Sequence, residues 1–167
     1  MYTLELAKPD EVELCNQIID EGRQFQREQG FIQWTKEYPN IDIIRKDVAA
    51  DIGYVLIADG IIAGYMCIDF SGEPAYADIE GKWSSEQRYA VVHRMAFGGK
   101  FRGIGLVDTD FSLIEKLCLD NDISYIRADT DFPNKRMQHI LSKNGFTQCG
   151  ITSFQGSGKL AYDKLLL

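Results

Sequence analysis

Apolar and polar residues alternate from Tyr2 to Ala7, with Leu4 and Leu6 on one side, the period of a half-buried strand. From Pro9-Asp10 the period lengthens. Leu14, Cys15, Ile18 and Ile19 recur as the apolar stripe of a helix, with Asp10 as its cap and Glu13 in the capping-box position. Gly22 or Gly30 marks its end. Pro39-Asn40 opens a second helix with Ile41, Ile44 and Val48 on one stripe. Gly53 to Ala58 and Ile61 to Phe70 are apolar strands joined by Asp59-Gly60, a dipeptide that tolerates the positive φ angles of a type I′ hairpin.

Ser71 to Gln87 is polar, carries Gly72, Pro74 and Gly81, and reads as an irregular excursion. Tyr89 to Phe97 is a strand, followed by a glycine loop. A helix from Leu106 to Asn121 then has Val107, Phe111, Ile114 and Cys118 on its buried face. Ile123 to Ala128 is another strand. Pro133-Asn134 starts a short helix through Met137, Ile140 and Leu141, which Asn144-Gly145 stops in a left-handed cap. Phe146 to Ile151 and Leu160 to Leu166 finish as strands. The order βααβββαβαββ mixes hairpins with strand–helix–strand crossovers. It predicts one α/β domain over residues 1–167, with a mixed sheet of about seven strands and helices on both faces.

Composition narrows the function classes. The chain has 167 residues, 45% hydrophobic and 26% charged, as an ordinary globular domain does. A net charge of −7 argues against a nucleic-acid-binding surface. No apolar run approaches the roughly 20 residues that span a membrane. Met1-Tyr-Thr-Leu-Glu-Leu lacks the basic and apolar regions of a signal peptide, so a cytoplasmic protein is expected. Cys15, Cys67, Cys118 and Cys149 are widely spaced in apolar runs and read as reduced core thiols. With two histidines, no metal site is expected.

The chemistry concentrates in Lys100-Phe101-Arg102-Gly103-Ile104-Gly105, between a strand and a helix start. Glycines let a backbone approach a ligand and aim N–H groups at it, and a helix N-terminus adds donors and a positive dipole end. The loop therefore suits phosphate. A nucleoside-triphosphatase loop would end Gly-Lys-Ser/Thr, whereas Gly105 is followed by Leu106-Val107. A dinucleotide fingerprint would place a third glycine where Asp108 stands.

With this loop after its fourth strand, the chain resembles the GNAT superfamily of acyl-CoA-dependent N-acetyltransferases along essentially its whole length. Lys100, Gly103 and Gly105 occupy the positions of that family's Gln/Arg-x-x-Gly-x-Gly/Ala pattern, with lysine a departure. Asn134, Met137, Ile140, Lys143, Gly145 and Phe146 reproduce its second motif. The resemblance implies a mostly antiparallel, twisted sheet and an acetyl-CoA cosubstrate. N–H groups from Phe101 to Gly105 would cradle the pyrophosphate. The backbone of Met95, Ala96 and Phe97 would pair with the pantetheine arm and offer an oxyanion donor, and Asn134 and Lys143 would complete the site. The tyrosine that many members use as an acid toward the thiolate falls at Leu141 here.

His93, on the same strand parity as Met95, and Tyr162, on the last strand, are the replacements considered for acid–base work; a core role is the alternative for each. Glu73, Asp78, Glu80 and Trp83 in the excursion, with Trp34 and Tyr38 before the second helix, form an acidic and aromatic set suited to an ammonium group. Aromatics plugging the core edge and a solvated acidic loop are the alternative. The reading is acetyl transfer to a primary amine, small molecule or peptide, by direct attack in a ternary complex, with a homodimer left open. An acyl-CoA-binding module without turnover is the rival, suggested by Leu141.

Overall fold

A computed structural model describes residues 1–154 and 156–167. The elements in chain order are β1 (Tyr2–Leu6), α1 (Val12–Glu28), α2 (Ile41–Ala49), β2 (Gly53–Ala58), β3 (Ile61–Asp69), β4 (Glu80–Gly81), β5 (Ala90–Phe97), α3 (Leu106–Asp120), β6 (Tyr125–Thr130), α4 (Lys135–Lys143), β7 (Thr147–Phe154) and β8 (Ser157–Leu165). The strands hydrogen-bond in the order β1-β2-β3-β5-β6-β8-β7-β4. The ladders are antiparallel except β5 with β6, which run parallel at Ala90↔Ile126 and Val91↔Arg127. The fold class is therefore as expected, with eight strands among the described residues where about seven were expected. Among the described residues, no helix is long and apolar enough to cross a membrane.

The chain forms two compact units, Met1–Ile68 with His93–Leu113, and Asp69–Val92 with Ile114–Leu167. In the first, α1 and α2 bury Cys15, Ile18, Ile19 and Ile44 with Val55 of β2, Tyr65 of β3 and Ala96 of β5. Gly22 does not end α1. A Cβ there would lie 3.0 Å from Trp34 Cζ3 and 3.1 Å from Ala96 Cβ, so this glycine lets the helix pack closely. The helix ends instead at Gly30, φ 89°. Its cap also differs from expectation: Pro9–Glu11 is a 3₁₀ turn, and Glu11 rather than Asp10 accepts from the backbone, at Lys8 N, 2.8 Å. Asn40 does cap α2, accepting from Ile43 N. Asp59 and Gly60 both have positive φ, 50° and 82°, as a type I′ hairpin requires. On β1, Leu4 is half-buried and Leu6 exposed.

In the second unit β6, β8 and β7 form the sheet, with Tyr76, Trp83, Val91 and Ala161 in one apolar cluster. The excursion contributes the unexpected strand β4, pairing Glu80 with Ile151 and Gly81 with Gly150. A Cβ on Gly81 would fall 2.2 Å from Cys149 O, so only glycine permits this contact. β6 begins two residues later than expected, at Tyr125. Gly145 (φ 88°) closes α4, with Phe146 N donating to Leu141 O at 3.0 Å. The four cysteines are free, three of them buried, and burial pushes the Cys15 and Cys118 thiols up to about 12.

The buried stripe of α3 includes Phe111, Ile114 and Cys118, as expected. Leu106 and Asp110 occupy it where Val107 was expected, and Val107 is half-buried. Asp110 is 0% exposed, and neither carboxyl oxygen has a hydrogen-bond partner among the described residues. Desolvation raises its pKa to about 8. The folded chain thus keeps a proton that the unfolded chain, with an aspartate pKa of about 3.9, releases. Stability is fully present below pH ~4 and declines as pH rises toward 8, by up to about 1.4 kcal/mol per pH unit. Asp110→Asn keeps the shape and removes the ionisation. Urea unfolding at pH 5, 6, 7 and 8 should show the variant gaining on the parent chain at each step.

Candidate active site

In the first unit the chain leaves β5 at Phe97, and Gly98 N donates to Ala63 O at 2.8 Å. One 3₁₀ turn, Gly99–Phe101, leads to Gly103 and Gly105, whose φ values are 78° and 77°. Among the described residues, no heavy atom beyond the adjoining residues lies within 4 Å of a Cβ built on either, and Ile104 between them is 64% exposed. The loop therefore presents an open backbone face. It runs directly into the 15-residue α3, in whose first turn Asp108 N donates to Gly105 O at 3.2 Å. The N–H groups ahead of that bond are the ones a helix leaves without an intrahelical partner. The two basic side chains differ. Lys100 lies 5.3 Å above the Phe101 ring. Arg102 lies 4.1 Å over Phe25 of α1 and donates to Phe97 O at 3.3 Å, which draws its charge back toward α1.

Upstream, Arg94 has φ 52°, inside β5. A left-handed non-glycine residue costs roughly 1–2 kcal/mol. It also interrupts the alternation between His93 and Met95, so a shared face for the two no longer follows from parity. His93, Met95 and Phe97 are half-buried and Ala96 is buried. Arg94 donates through Nε to Asp47 Oδ2 at 2.9 Å and through Nη2 to Asp47 Oδ1 at 2.7 Å, a two-pronged ion pair. Its Nη1 donates to the Tyr38 hydroxyl at 2.7 Å, and Tyr65 OH donates to Asp47 Oδ2 at 2.6 Å. Burial works to lower the Arg94 pKa, but the bonds to Asp47 and the electrostatic interactions with Cys67, Tyr38 and Asp47 together outweigh it and raise it, so the guanidinium stays charged. Burial, reinforced by the Asp47 charge, pushes the Tyr65 phenol up.

Segment 31–40 is tied down as well. Arg23 of α1 donates to Thr35 O at 2.7 Å and Pro39 O at 2.8 Å, and Gln26 Oε1 accepts from Trp34 N at 3.0 Å. Trp34 is 8% exposed and packs in the core of this unit, which is the alternative reading of that indole.

The second unit carries the rest of the expected set. Tyr76 OH donates to Asp129 Oδ2 at 2.6 Å, and Lys159 pairs with Asp131. Asp129 is raised above the ordinary carboxylate range, because burial and the nearby Glu73 and Asp131 charges outweigh Tyr76 and Lys159. Glu73 accepts from Ala75 N at 3.4 Å, while Asp78 and Glu80 are exposed. Trp83 is buried. Its Nε1 donates to Tyr76 O at 2.9 Å, and its ring lies 4.2 Å from the Arg127 guanidinium, which Tyr89 flanks at 4.1 Å. Asn134 caps α4, its Oδ1 accepting from Met137 N at 3.1 Å, and Lys143 lies in the last turn. Leu141 is 1% exposed and Tyr162 is buried, its phenol pKa raised by desolvation. His139 is exposed.

Asp47, Arg94, Asp129 and Asp131 were not singled out from the sequence. The signal for Arg94 and Asp129 was a charge inside an apolar strand, which must be partnered when buried. The partner is not readable from spacing, since Asp47 lies 47 residues from Arg94 and Tyr76 lies 53 from Asp129.

Neither family sequence models nor curated proteins matched the chain. Solved structures did. An acetyltransferase of the GNAT family from Streptococcus agalactiae superposes with a TM-score of 0.90 at 35% identity, covering 99% of this chain and 96% of that one. A GNAT-family acetyltransferase from Listeria monocytogenes gives 0.78 at 20% identity, with coverage of 99% and 95%. An aminoglycoside acetyltransferase solved with coenzyme A and kanamycin gives 0.72 at 17% identity, with coverage of 99% and 95%. The latter two are likenesses of fold.

The strand β5 is also fixed by its neighbour. A Cβ on Gly64 of β3 would lie 2.8 Å from Phe97 Cδ1 and 3.1 Å from Ala96 O. Overpacking of this kind costs about 1–3 kcal/mol. Gly64→Ala should lower stability by that amount in chemical denaturation, and Gly64→Ala with Phe97→Leu should recover part of it.

Proposed function

The chain belongs to the GNAT family of acetyltransferases, and on that premise we propose that it moves the acetyl group of acetyl-CoA to a primary amine by direct attack. The observation that carries the reading is the open loop at Gly103 and Gly105, set between β5 and the N-terminus of α3. Backbone N–H groups at such a loop suit a diphosphate, and the helix end adds about 0.3–1 kcal/mol of charge interaction. Lys100 supplies the side-chain cation. The peptide groups of Met95, Ala96 and Phe97 are assigned to the pantetheine amides and to the oxyanion, and Asn134 and Lys143 to the far end of the donor.

The amine nitrogen attacks the thioester carbonyl carbon, and the resulting oxyanion needs a fixed N–H donor. The carbon–sulfur bond then breaks and the CoA thiolate takes a proton. Tyr162 keeps its proton to high pH and is assigned as an acid, since Leu141 offers none. The incoming ammonium must first lose a proton. Asp129 is proposed for that step, because burial raises its carboxyl above the ordinary carboxylate value and its neighbours Glu73 and Asp131 favour a cation. His93 is the other group proposed for it. Asp78, Glu80 and Tyr38 are assigned to acceptor capture. The bound kanamycin of the aminoglycoside acetyltransferase supports an amine-bearing small molecule as acceptor. The rival reading, donor binding without turnover, is favoured by the apolar Leu141 alone. Thiol release from acetyl-CoA with any member of a primary-amine panel excludes it.

Two outcomes check this reading. Gly103→Val places a branched side chain on a backbone at φ 78° and over the open face. Acetyl-CoA should raise the Tm of the parent chain, because only the folded state binds it, and should leave that of the variant unchanged. Asp129→Asn should lower kcat by about 10²-fold or more. The parent's kcat/KM should rise with pH as Asp129 ionises, above the ordinary carboxylate range, and the variant should lose that limb. If His93→Gln loses it instead, the assignment moves to His93.

A further inference from the structure

A non-glycine residue holds the left-handed region within a strand only where its surroundings over-determine it. At Arg94 they do. Its guanidinium meets Asp47 of α2 through two nitrogens and the Tyr38 hydroxyl through the third. Asp47 also accepts from Tyr65 of β3, whose side chain is fully buried. Tyr38 belongs to the segment that Arg23 holds at Thr35 O and Pro39 O. One cation therefore joins α2, β3 and segment 31–40 to the residue immediately before Met95.

We propose that Arg94, Asp47 and Tyr38 form a positioning device for the acyl donor. The network holds the reversed backbone at Arg94 and so aims the peptide groups of Met95 to Phe97. The inference rests on the assignment of those groups to acetyl-CoA. The three residues act through the backbone, and Tyr38 makes the same guanidinium set the place of segment 31–40. A purely electrostatic role for Arg94 makes a different demand: any loss of the cation would then have the same effect, whatever backbone replaces it.

Glycine and alanine at position 94 separate the two. Both lack the cation, but glycine accepts φ 52° without steric cost and alanine does not. Both are made with Asp47→Asn, so that no buried carboxylate is stranded, and the parent chain is the reference. Hydrogen exchange of the 95–97 amides is measured without ligand, and acetyl-CoA binding by calorimetry. The Arg94→Ala pair should exchange about 10-fold faster than the reference and bind about 10-fold more weakly, as a left-handed residue with a Cβ implies. The Arg94→Gly pair should lie within about 3-fold of the reference, given glycine's freedom there. Equal values for glycine and alanine overturn the proposal. Should the double variants not fold, Tyr38→Phe, which removes one hydroxyl, decides: faster exchange at 95–97 and weaker acetyl-CoA binding are expected, and parent values in both overturn it. The failure of the functional reading looks different. If the variants show the expected exchange pattern but the parent chain binds no acetyl-CoA, the donor assignment falls and this proposal with it.

Discussion

A charged side chain taken out of water must find its opposite, and the first unit is organised around one such pair. The Asp47 side chain is 5% exposed and that of Arg94 12%, and they meet through two parallel hydrogen bonds. Removing one partner of a buried pair typically costs about 3–5 kcal/mol, because the other is left uncompensated. That penalty ties α2 to β5. It offsets the left-handed backbone at Arg94 and, through Tyr65 and Tyr38, brings β3 and the segment before α2 into the same arrangement. The strand assigned to the acyl donor is thus shaped by side chains that need not touch the donor.

The second unit solves the same problem with aromatic rings. Arg127 lies between Trp83 and Tyr89 and donates to Ser85 O at 2.8 Å. Asp163, facing Arg127 across the β6–β8 ladder, accepts from Tyr125 OH at 2.5 Å and Ser84 N at 2.7 Å. Burial alone would raise its carboxyl, but these bonds prevail and hold it below the usual range. The excursion from Ser71 to Gln87 is held by these contacts and by the facing glycines Gly81 of β4 and Gly150 of β7, with no periodic apolar stripe of its own.

Aspartate shows how far surroundings decide chemistry. Asp163 is held ionised by donors, Asp110 is held neutral by their absence, and Asp129 is raised by burial against the restraint of Tyr76 and Lys159. The three are the same residue type in the sequence, and nothing in their immediate neighbours along the chain ranks them.

The sequence by itself determined the element order apart from β4, the Asp59-Gly60 hairpin, the start of α2 at Pro39-Asn40, the cap at Gly145, and the glycine loop ahead of α3. These depend on residues near one another in the chain, whose periodicity and backbone preferences act locally. It also pointed to the family, through two motifs that local spacing preserves. Only the tertiary structure decided that Gly22 lies inside a helix, that Glu80–Gly81 is a strand, and that Trp34 and Trp83 are buried. It alone paired Arg94 with Asp47 and Tyr76 with Asp129. Each of these is settled by what lies opposite in space, tens of residues away. Burial and electrostatic pairing act over ångströms between side chains, and a sequence carries no record of which distant residues folding will bring together.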